Sequence, residues 1–289
     1  SKRPRRRRPK FIASAIRHRT TWEDHLVRES RIAGMLAILS SILPACSDST
    51  AGPGATDDSE MEARGLIVFA DARMIWRINP DGTGLKAMGR DGNSPTLSPD
   101  LARLGFTKDG RPGVANLDGS GLTFVVEEYA PLLDWVDGTT LLLARGGDSL
   151  VTRSLATSEE RLIFEVRDPS SSLGGASVGP GGEQIALSRY DFTEDVAEVL
   201  LVERGSPETV TSVVRFRDTY TYDPQISPDG GRLVVYRVPS DFGGPSITIT
   251  IVDLDDGGRH DILSPDPAYQ YRWPSWTPDG DSLLVERHR

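Results

Sequence analysis

A short pattern of apolar and turn-forming positions recurs along the C-terminal three-quarters of the chain. Each copy has an apolar stretch, a turn of the Pro-Asp-Gly type and a second apolar run, which predicts two strands joined as a hairpin. The five turns are Pro99-Asp100, Asp137-Gly138, Gly181-Gly182, Asp229-Gly230 and Asp279-Gly280. Proline and glycine at the turn positions favour a tight reversal of the chain.

The copies follow one another at intervals of 36 to 50 residues. Each interval holds two further strand candidates, such as residues 112–117 and 122–126, separated by Asp-Gly turns such as Asp118-Gly119. Four short antiparallel strands at this period are typical of a β-propeller blade. The pattern therefore predicts an all-β fold, a β-propeller of four-stranded antiparallel blades.

The repeat resembles that of TolB-type propellers. The resemblance rests on the Ser-Pro-Asp-Gly hairpin of residues 227–230 and on strands of the Ile/Val-x-x-Asp-Gly type after such hairpins. It covers residues 65–289 and implies a propeller without catalytic residues. Propellers host many activities, so the resemblance implies more about the fold than about the function.

Blade number and ring closure depend on the two ends of the repeat region. Five hairpins favour five blades, and six are possible if the N-terminal strands form a blade of their own. Residues 67–79 match the later strands of one unit, whereas residues 273–289 supply the hairpin alone. We expect these ends to complete one blade between them, so that N- and C-terminal strands close the ring and remove exposed sheet edges.

Charge is divided unevenly along the chain. Residues 1–45 hold 11 Lys/Arg and three Asp/Glu, whereas the remaining residues hold 22 basic and 39 acidic residues, a net charge of −17. An acidic body repels polyanions, so no nucleic-acid partner is expected despite the run Arg5–Arg8.

The basic segment ends in a pattern typical of a secretion signal. Arg28 and Arg31 precede an apolar stretch over 32–43, and Leu43-Pro44-Ala45-Cys46 is similar to a bacterial lipobox. We therefore predict a basic extension plus lipoprotein-type signal peptide over 1–45, lipidation of Cys46, a flexible polar tether over 46–64 and the propeller over 65–289.

Two other interpretations of Cys46 remain open: an ordinary buried helix, or plain secretion with cleavage nearby. A further hypothesis places the start of translation near Val27, because 26 residues precede it. The lipoprotein interpretation predicts a protein of the bacterial cell envelope, periplasmic or outer-membrane associated, that meets the membrane only through its lipid anchor.

Motifs for catalysis or metal binding are weak. Ser177 lies in a G-x-S-x-G pattern, but the segment aligns with a first blade strand and no helix follows. The run 253–257 begins like a calcium loop, yet Ser264 stands where its final glutamate belongs. One cysteine and four histidines leave little for a metal site. We predict no enzyme, no metal and no cofactor.

A basic residue recurs eight positions after the turn aspartate or its equivalent. The five residues are Lys108, Arg145, Arg189, Arg237 and Arg287. Each follows the second strand, so all five are expected on the face where links enter the next blade. There, with Tyr222, Tyr271 and Trp273, they are candidates for binding a partner. The alternative is architectural, with each cation pairing with an aspartate of a neighbouring blade or capping the carbonyls of its strand.

These observations favour a non-catalytic scaffold that presents one propeller face to an envelope protein or peptide, as a monomer. The first alternative is a binder or sensor of a small anionic or carbohydrate ligand in the central funnel, which requires the five cations to converge on the axis. A hydrolase or lyase is the second alternative. Trp135 and Trp276 are expected to pack between blades.

Overall fold

The computed structural model describes residues 66–288, apart from 72–73, 81, 91, 242–246 and 264–269, together with the backbone of three short N-terminal strands. The strands are β1 Ser14–Arg17, β2 Val27–Glu29, β3 Ile38–Leu39, β4 Ile67–Asp71, β5 Met74–Ile78, β6 Lys86–Arg90, β7 Asn93–Leu97, β8 Arg103–Lys108, β9 Arg111–Asn116, β10 Thr123–Phe124, β11 Leu132–Asp137, β12 Thr140–Arg145, β13 Ser149–Ser154, β14 Glu160–Glu165, β15 Ser171–Val178, β16 Gln184–Asp191, β17 Val196–Glu203, β18 Ser206–Arg217, β19 Thr219–Ile226, β20 Arg232–Pro239, β21 Thr248–Asp253, β22 Arg259–Leu263, β23 Gln270–Trp276 and β24 Ser282–His288. A single 3-10 turn covers Pro180–Gly182 in this part of the chain.

The strands pair into six four-stranded antiparallel sheets. Four sheets are contiguous in sequence: β7–β10, β11–β14, β15–β18 and β19–β22. The first strands contact one another in the order β3, β7, β11, β15, β19, β23 and back to β3, which places them around a central axis. The predicted β-propeller of four-stranded antiparallel blades is confirmed. Its six sheets correspond to the larger of the two blade counts that the sequence left open.

The ring closes through strands from both ends of the chain, as predicted, but with different partners. The C-terminal hairpin β23–β24 pairs through β24 with β1, in the register Ser14↔Val285, and β2 completes that sheet. Strand β4 pairs with β3 instead. The expectation that residues 67–79 and the C-terminal hairpin share one blade is therefore wrong. Each takes N-terminal strands of its own, which cover the free edges of β4 and β24.

Strands β1 to β3 lie within 1–45, the segment for which the sequence predicts a basic extension and signal peptide. Cys46 and the predicted tether over 46–64 lie outside the described residues, so lipidation and processing stay predictions. Within residues 66–288, as far as they are described, we find no helix with the length and apolar content needed to cross a membrane.

The Ser-Pro-Asp turns of residues 98–100 and 227–229 are closed by their own side chains. The hydroxyl of Ser227 donates to Asp229, which also accepts from the backbone N–H of Gly231 at 3.1 Å. Ser98 and Asp100 form the same arrangement in the blade of β7–β10. These bonds lower the pKa of both aspartates, with the serine hydroxyl as the main cause. The repeated motif therefore determines a rigid hairpin without help from distant residues.

The core lies between neighbouring sheets. One cluster combines Leu142 and Leu150 with Ile185 and Leu187 of the next blade, all at most 1% exposed. Two tryptophans tie blades together, as predicted. The indole N–H of Trp135 donates to the carbonyl of Thr96 (3.3 Å), and that of Trp276 donates to the carbonyl of Gln225 (3.1 Å). In both cases the acceptor belongs to the first strand of the preceding blade.

Candidate functional site

All five repeated cations lie at or next to the ends of second strands. We call this end of the propeller the rim face, defined by the turns between second and third strands (109–110, 146–148, 192–195) and the links 126–131, 166–170 and 218. Because paired strands are antiparallel, the second strands end where the first strands begin. The predicted placement of cations and links on one face is confirmed by this topology.

Three of the cations form ion pairs within their own blades. Arg189 contacts Glu198 of β17 at 2.5 Å, directly across the strand pair. Arg237 contacts Asp261 of β22 at 2.8 Å, and its guanidinium lies 4.7 Å from the ring centre of Phe216. These contacts are architectural, but they lie within one blade, whereas the architectural alternative expected an aspartate of a neighbouring blade.

Arg145 forms the third of these ion pairs. Arg145 contacts Glu160 of β14 and the link residue Glu128. Arg287 is buried at 6% exposure. Lys108 lies at the end of β8. Since Arg145, Arg189 and Arg237 are held by acidic groups of their own blades or links, the five cations do not form one cationic ring that faces a partner. A role in partner binding stays a prediction.

Aromatic side chains form a continuous row on the rim face. We call it the aromatic ladder: Phe192, Tyr190, Tyr220, Tyr222 and Tyr236, in spatial order. Successive ring centres lie 5.0, 4.1, 6.3 and 5.3 Å apart. The ladder spans two blades, because the first two residues belong to the blade of β15–β18 and the others to the blade of β19–β22.

The outer end of the ladder is anchored and exposed. Phe192 is 57% exposed, whereas Tyr190 is buried and donates its hydroxyl to Asp195. Burial, followed by the nearby Asp195, raises the pKa of Tyr190. Ser240 of the next blade donates to the same carboxylate at 2.9 Å. The 191–195 turn is thereby fixed against the neighbouring blade, and Phe192 is presented on a rigid support.

The inner end of the ladder reaches Trp273, which is 37% exposed. Its indole N–H donates to the hydroxyl of Tyr236. Of the predicted aromatic candidates, Tyr222 and Trp273 are thus brought together through Tyr236. Tyr271, like Tyr222, is partly buried against the apolar cluster between the last two blades, which includes Tyr236. The sequence analysis missed Tyr190, Phe192 and Tyr236, although Tyr190 and Phe192 lie one and three positions after the repeated cation Arg189, and Tyr236 directly precedes the repeated cation Arg237.

Five first strands have a β-bulge at equivalent points. The pairing register shifts near Pro95, Leu133, Gly174, Pro224 and Pro274. Proline has no backbone N–H to donate to the paired strand, which explains the bulge in three of these first strands. Ser94, Asp223 and Trp273 precede those prolines, with φ of 47°, 44° and 47°. Such left-handed backbone is uncommon outside glycine and is often retained near functional sites.

Asp223 is a carboxylate without a charged partner in the described part of the chain. It is partly buried, and burial raises its pKa to about 6. A Cβ atom at Gly175 would lie 3.0 Å from its Oδ1, so only glycine permits this approach of two neighbouring blades. Its negative charge also contributes to the raised pKa of Tyr222 and Tyr236, in both cases after burial.

A second enclosed carboxylate, Asp134, has a structural explanation. It accepts from the backbone N–H groups of Val178 (2.9 Å) and Trp135 (2.8 Å) and from the Thr96 hydroxyl (3.4 Å). The side chain thus links three consecutive blades. Burial outweighs these bonds and raises its pKa to about 6.

The motifs considered for catalysis and metal binding occupy ordinary structural positions. Ser177 lies in β15, followed by β16, and donates its hydroxyl to the carbonyl of Pro224 (2.5 Å). The 253–257 segment is a strand-to-strand turn closed from Gly257 N–H to the Asp253 carbonyl (3.0 Å). Among the described residues, no three His, Cys, Asp or Glu side chains lie close enough together to hold a metal ion.

Comparison with known proteins supports the fold. No family model and no curated protein matches the chain. A solved structure assigned as TolB from Agrobacterium tumefaciens has a TM-score of 0.71 at 13% identity and covers 98% of this chain and 99% of its own. A nidogen–laminin complex structure has a TM-score of 0.58 at 12% identity, covering 95% of this chain and 96% of that one.

An enzyme is also among the similar structures. Hydrazine synthase from Kuenenia stuttgartiensis has a TM-score of 0.54 at 13% identity, covering 76% of this chain and 70% of that one. At such identities similarity shows the fold alone, and this chain has a TolB-like propeller fold. Neither catalysis nor its absence follows from these matches.

Proposed function

We propose that this protein is a non-catalytic binding scaffold of the bacterial cell envelope, which presents its rim face to a protein or peptide partner. The observation that carries the proposal is the aromatic ladder, with exposed Phe192 at its outer end and exposed Trp273 next to Tyr236 at its inner end. Aromatic side chains supply much of the energy of protein interfaces, because they bury large areas at little cost in conformational entropy. The rigid propeller keeps these rings in place before binding.

The proposed location rests on the lipobox-like segment before Cys46 and on the fold shared with the TolB structure. In this proposal the lipid on Cys46 is the only membrane attachment, and residues 46–64 tether a monomeric propeller. The scaffold needs no cofactor. The hydroxyl of Ser177, bonded to a backbone carbonyl, supports a structural role for the only motif that resembled a nucleophile site.

Removing the exposed ring of Phe192 and the partly buried ring of Tyr220 is expected to weaken partner capture at least about tenfold. The bait is the full-length chain with Phe192→Ala and Tyr220→Ala, crosslinked in native envelopes and compared with wild type by quantitative mass spectrometry. The matched control is Leu162→Ala, which removes an equally exposed apolar side chain (50%) from β14. Charge reversal of Arg189 is less informative, because it would place two carboxylates against each other at Glu198.

Capture that is lost only with the ladder variant supports the proposed function. Equal capture by wild type and both variants would show that the partner binds elsewhere, and no specific capture would count against a protein partner. Circular dichroism and thermal unfolding of all three proteins establish that a loss of capture is not a loss of fold.

One observation favours the second candidate function, binding of a small anionic or carbohydrate ligand. A cavity of about 380 Å³ lies between the blades of β7–β10 and β11–β14, at the end opposite the rim face. Its lining includes Arg103, Arg153, Asn116, Thr123 and Phe124. Arg153 is engaged by Glu160 at 2.9 Å, whereas Arg103 has no ion pair within the described residues.

A hydroxylated carboxylate such as glucuronate is the appropriate probe for this cavity. If the cavity is a ligand site, saturating glucuronate is expected to raise the Tm by about 2 °C or more, and glucose much less. Arg103→Gln should abolish the rise, because it removes the unpaired cation. Arg161→Gln, an exposed cation of the neighbouring blade outside the cavity, should keep it. An equal response of both variants, or none in wild type, would exclude the cavity as an anion site.

A further inference from the structure

Asp223 is an unusual residue to find on a first strand, next to the central axis of the propeller. Buried carboxylates are normally paired with a cation or held by several hydrogen bonds, as Asp134 is. No described residue donates a hydrogen bond to Asp223 or forms an ion pair with it, and its backbone is left-handed. An uncompensated carboxylate of this kind costs folding stability, and such groups are concentrated at functional sites.

Two cations on strands beside Asp223 have other partners in the described part of the chain. Arg237 follows Tyr236 on β20 but is held by Asp261 (2.8 Å) and Thr250 (2.8 Å) of its own blade. Arg272, on the adjacent first strand, contacts Gln270 at 2.7 Å and stands opposite Glu286 in the strand register. The negative charge of Asp223 is therefore available to a positive group from outside the chain.

Two rings of the aromatic ladder, Tyr222 and Tyr236, lie close enough to Asp223 for its charge to raise their pKa values. Tyr222 precedes it in the chain, and its ring stacks on Tyr236 at 5.3 Å. Trp273 occupies the equivalent bulge of the next blade and bonds to Tyr236. The backbone of Gly175, in the preceding blade, also approaches Asp223 closely. The negative faces of aromatic rings attract organic cations, and a carboxylate among them adds a charge-assisted hydrogen bond.

We propose that Asp223, Tyr222 and Trp273 form the seat for one lysine or arginine side chain of the partner segment that lies along the aromatic ladder. The proposal rests on the proposed function and identifies the chemistry of the partner. An extended chain advances about 3.3 Å per residue, so successive rings accommodate a segment of several residues rather than a free amine. The net charge of −17 beyond residue 45 favours the approach of such a cationic segment.

An organic cation fits this site better than a metal ion. Divalent metals need several hard oxygen ligands, and within the described part of the chain no group of three acidic, His or Cys side chains is available. A single carboxylate beside aromatic faces instead suits guanidinium or ammonium groups, which donate hydrogen bonds to the carboxylate and are attracted to the faces of the rings.

The test is selection of random phage-displayed heptapeptides on the full-length chain, followed by affinity measurements with the selected peptides. We expect a lysine or arginine at one fixed position. Asp223→Asn is expected to weaken those peptides at least about tenfold. Citrulline or norleucine at that position should weaken binding to wild type equally, and should add little further loss to Asp223→Asn.

The matched control is Asp218→Asn, at an exposed aspartate just before β19. Both positions have left-handed backbone (φ 54° and 44°), which asparagine tolerates, and both changes remove one negative charge. Asp218→Asn should leave peptide affinity within about twofold. Unfolding curves of both variants establish that each is folded.

Three outcomes would overturn the seat: selected peptides without a cation, unchanged affinity of cationic peptides for Asp223→Asn, or no selected peptide at all. The first two can be distinguished from failure of the proposed function. Peptides that lose affinity for the Phe192→Ala/Tyr220→Ala variant but need no cation would retain the scaffold and exclude the seat. The absence of both selected peptides and captured partners would count against both proposals.

Discussion

Lowering the pH from 7.5 to 5 is expected to stabilise the folded propeller by about 3 kcal/mol through Asp134 and Asp223 together. Burial raises the pKa of each from the ordinary value of 3.8 to about 6. Between these values the folded chain binds more protons than the unfolded chain, so the free energy of unfolding rises as the pH falls. Glu286, whose pKa burial raises to about 7, acts in the same direction.

The gain is expected to reverse below about pH 4. There the turn aspartates Asp100 and Asp229, whose pKa values are held low mainly by Ser98 and Ser227, must be protonated in the folded chain. Their stabilising hydrogen bonds, present above the unfolded-state pKa, are then lost as the pH falls through the folded-state pKa. Maximum stability should accordingly lie between roughly pH 4 and pH 6.

Urea unfolding followed by tryptophan fluorescence at several pH values measures this dependence. Asp223→Asn should remove about half of the aspartate contribution to the slope between pH 5 and pH 7.5. Asp134→Asn should do the same, although its amide cannot replace both acceptor oxygens and the variant will be less stable throughout. If wild type and both variants share one slope, the two carboxylates are not the source of the effect.

Gly174→Ala is expected to lower the free energy of unfolding by about 1–3 kcal/mol and to abolish binding at the inner end of the ladder. The new Cβ would lie 2.6 Å from the carbonyl oxygen of Thr221 and 2.6 Å from the hydroxyl of Ser188. The first contact involves backbone of β19, so that strand must move away from β15. Asp223 lies two residues further along the same strand and must move with it.

Gly205→Ala provides a control in the same blade, since a Cβ there would have no atom within 4 Å. Its stability should stay within about 0.5 kcal/mol of wild type. Adding Ser188→Ala to Gly174→Ala removes the side-chain contact but not the backbone contact, so rescue should be partial. Full stability of Gly174→Ala, measured by urea unfolding, would show that the approach of β15 to β19 is not as close as described.

The repeat pattern was sufficient to predict the elements within each blade. The hairpin at Pro228-Asp229-Gly230, closed by Ser227, depends on residues within five positions of one another, and its chemistry is visible in the sequence. The alternation of apolar residues likewise identified β16 and β20 as buried strands, with Ile185, Leu187 and Leu233 fully buried. Local turn chemistry and strand periodicity are properties of short segments, so no tertiary information was needed.

The repeat pattern did not predict which strands pair with the two free edges of the repeat array. Strands β4 and β24 each end a series of local pairings, and neither pattern specifies which distant strand covers the free edge. The shared-blade expectation for residues 67–79 was wrong for this reason, since β1 and β3 take those places. Pairing between strands far apart in the chain depends on how the ring closes.

The candidate site was predictable only in part. Counting along the repeat found the cations and the face that carries them, because both follow from the position within a blade. The ion pairs of Arg189 and Arg237 were not visible, because Glu198 and Asp261 occupy different strands of their blades. Tyr222 and Trp273 were identified, but not the rings that join them.

The sequence by itself determined the blade unit, its turns and the face on which its second strands end, because these follow from interactions within a few residues. Only the tertiary structure decided that Tyr190, Tyr220 and Tyr236 form one row and that Asp223 stands beside it without an ion-pair partner among the described residues. Those groups belong to different strands or blades, and their distances are set by the packing of one blade against the next and by the bare backbone at Gly174 and Gly175.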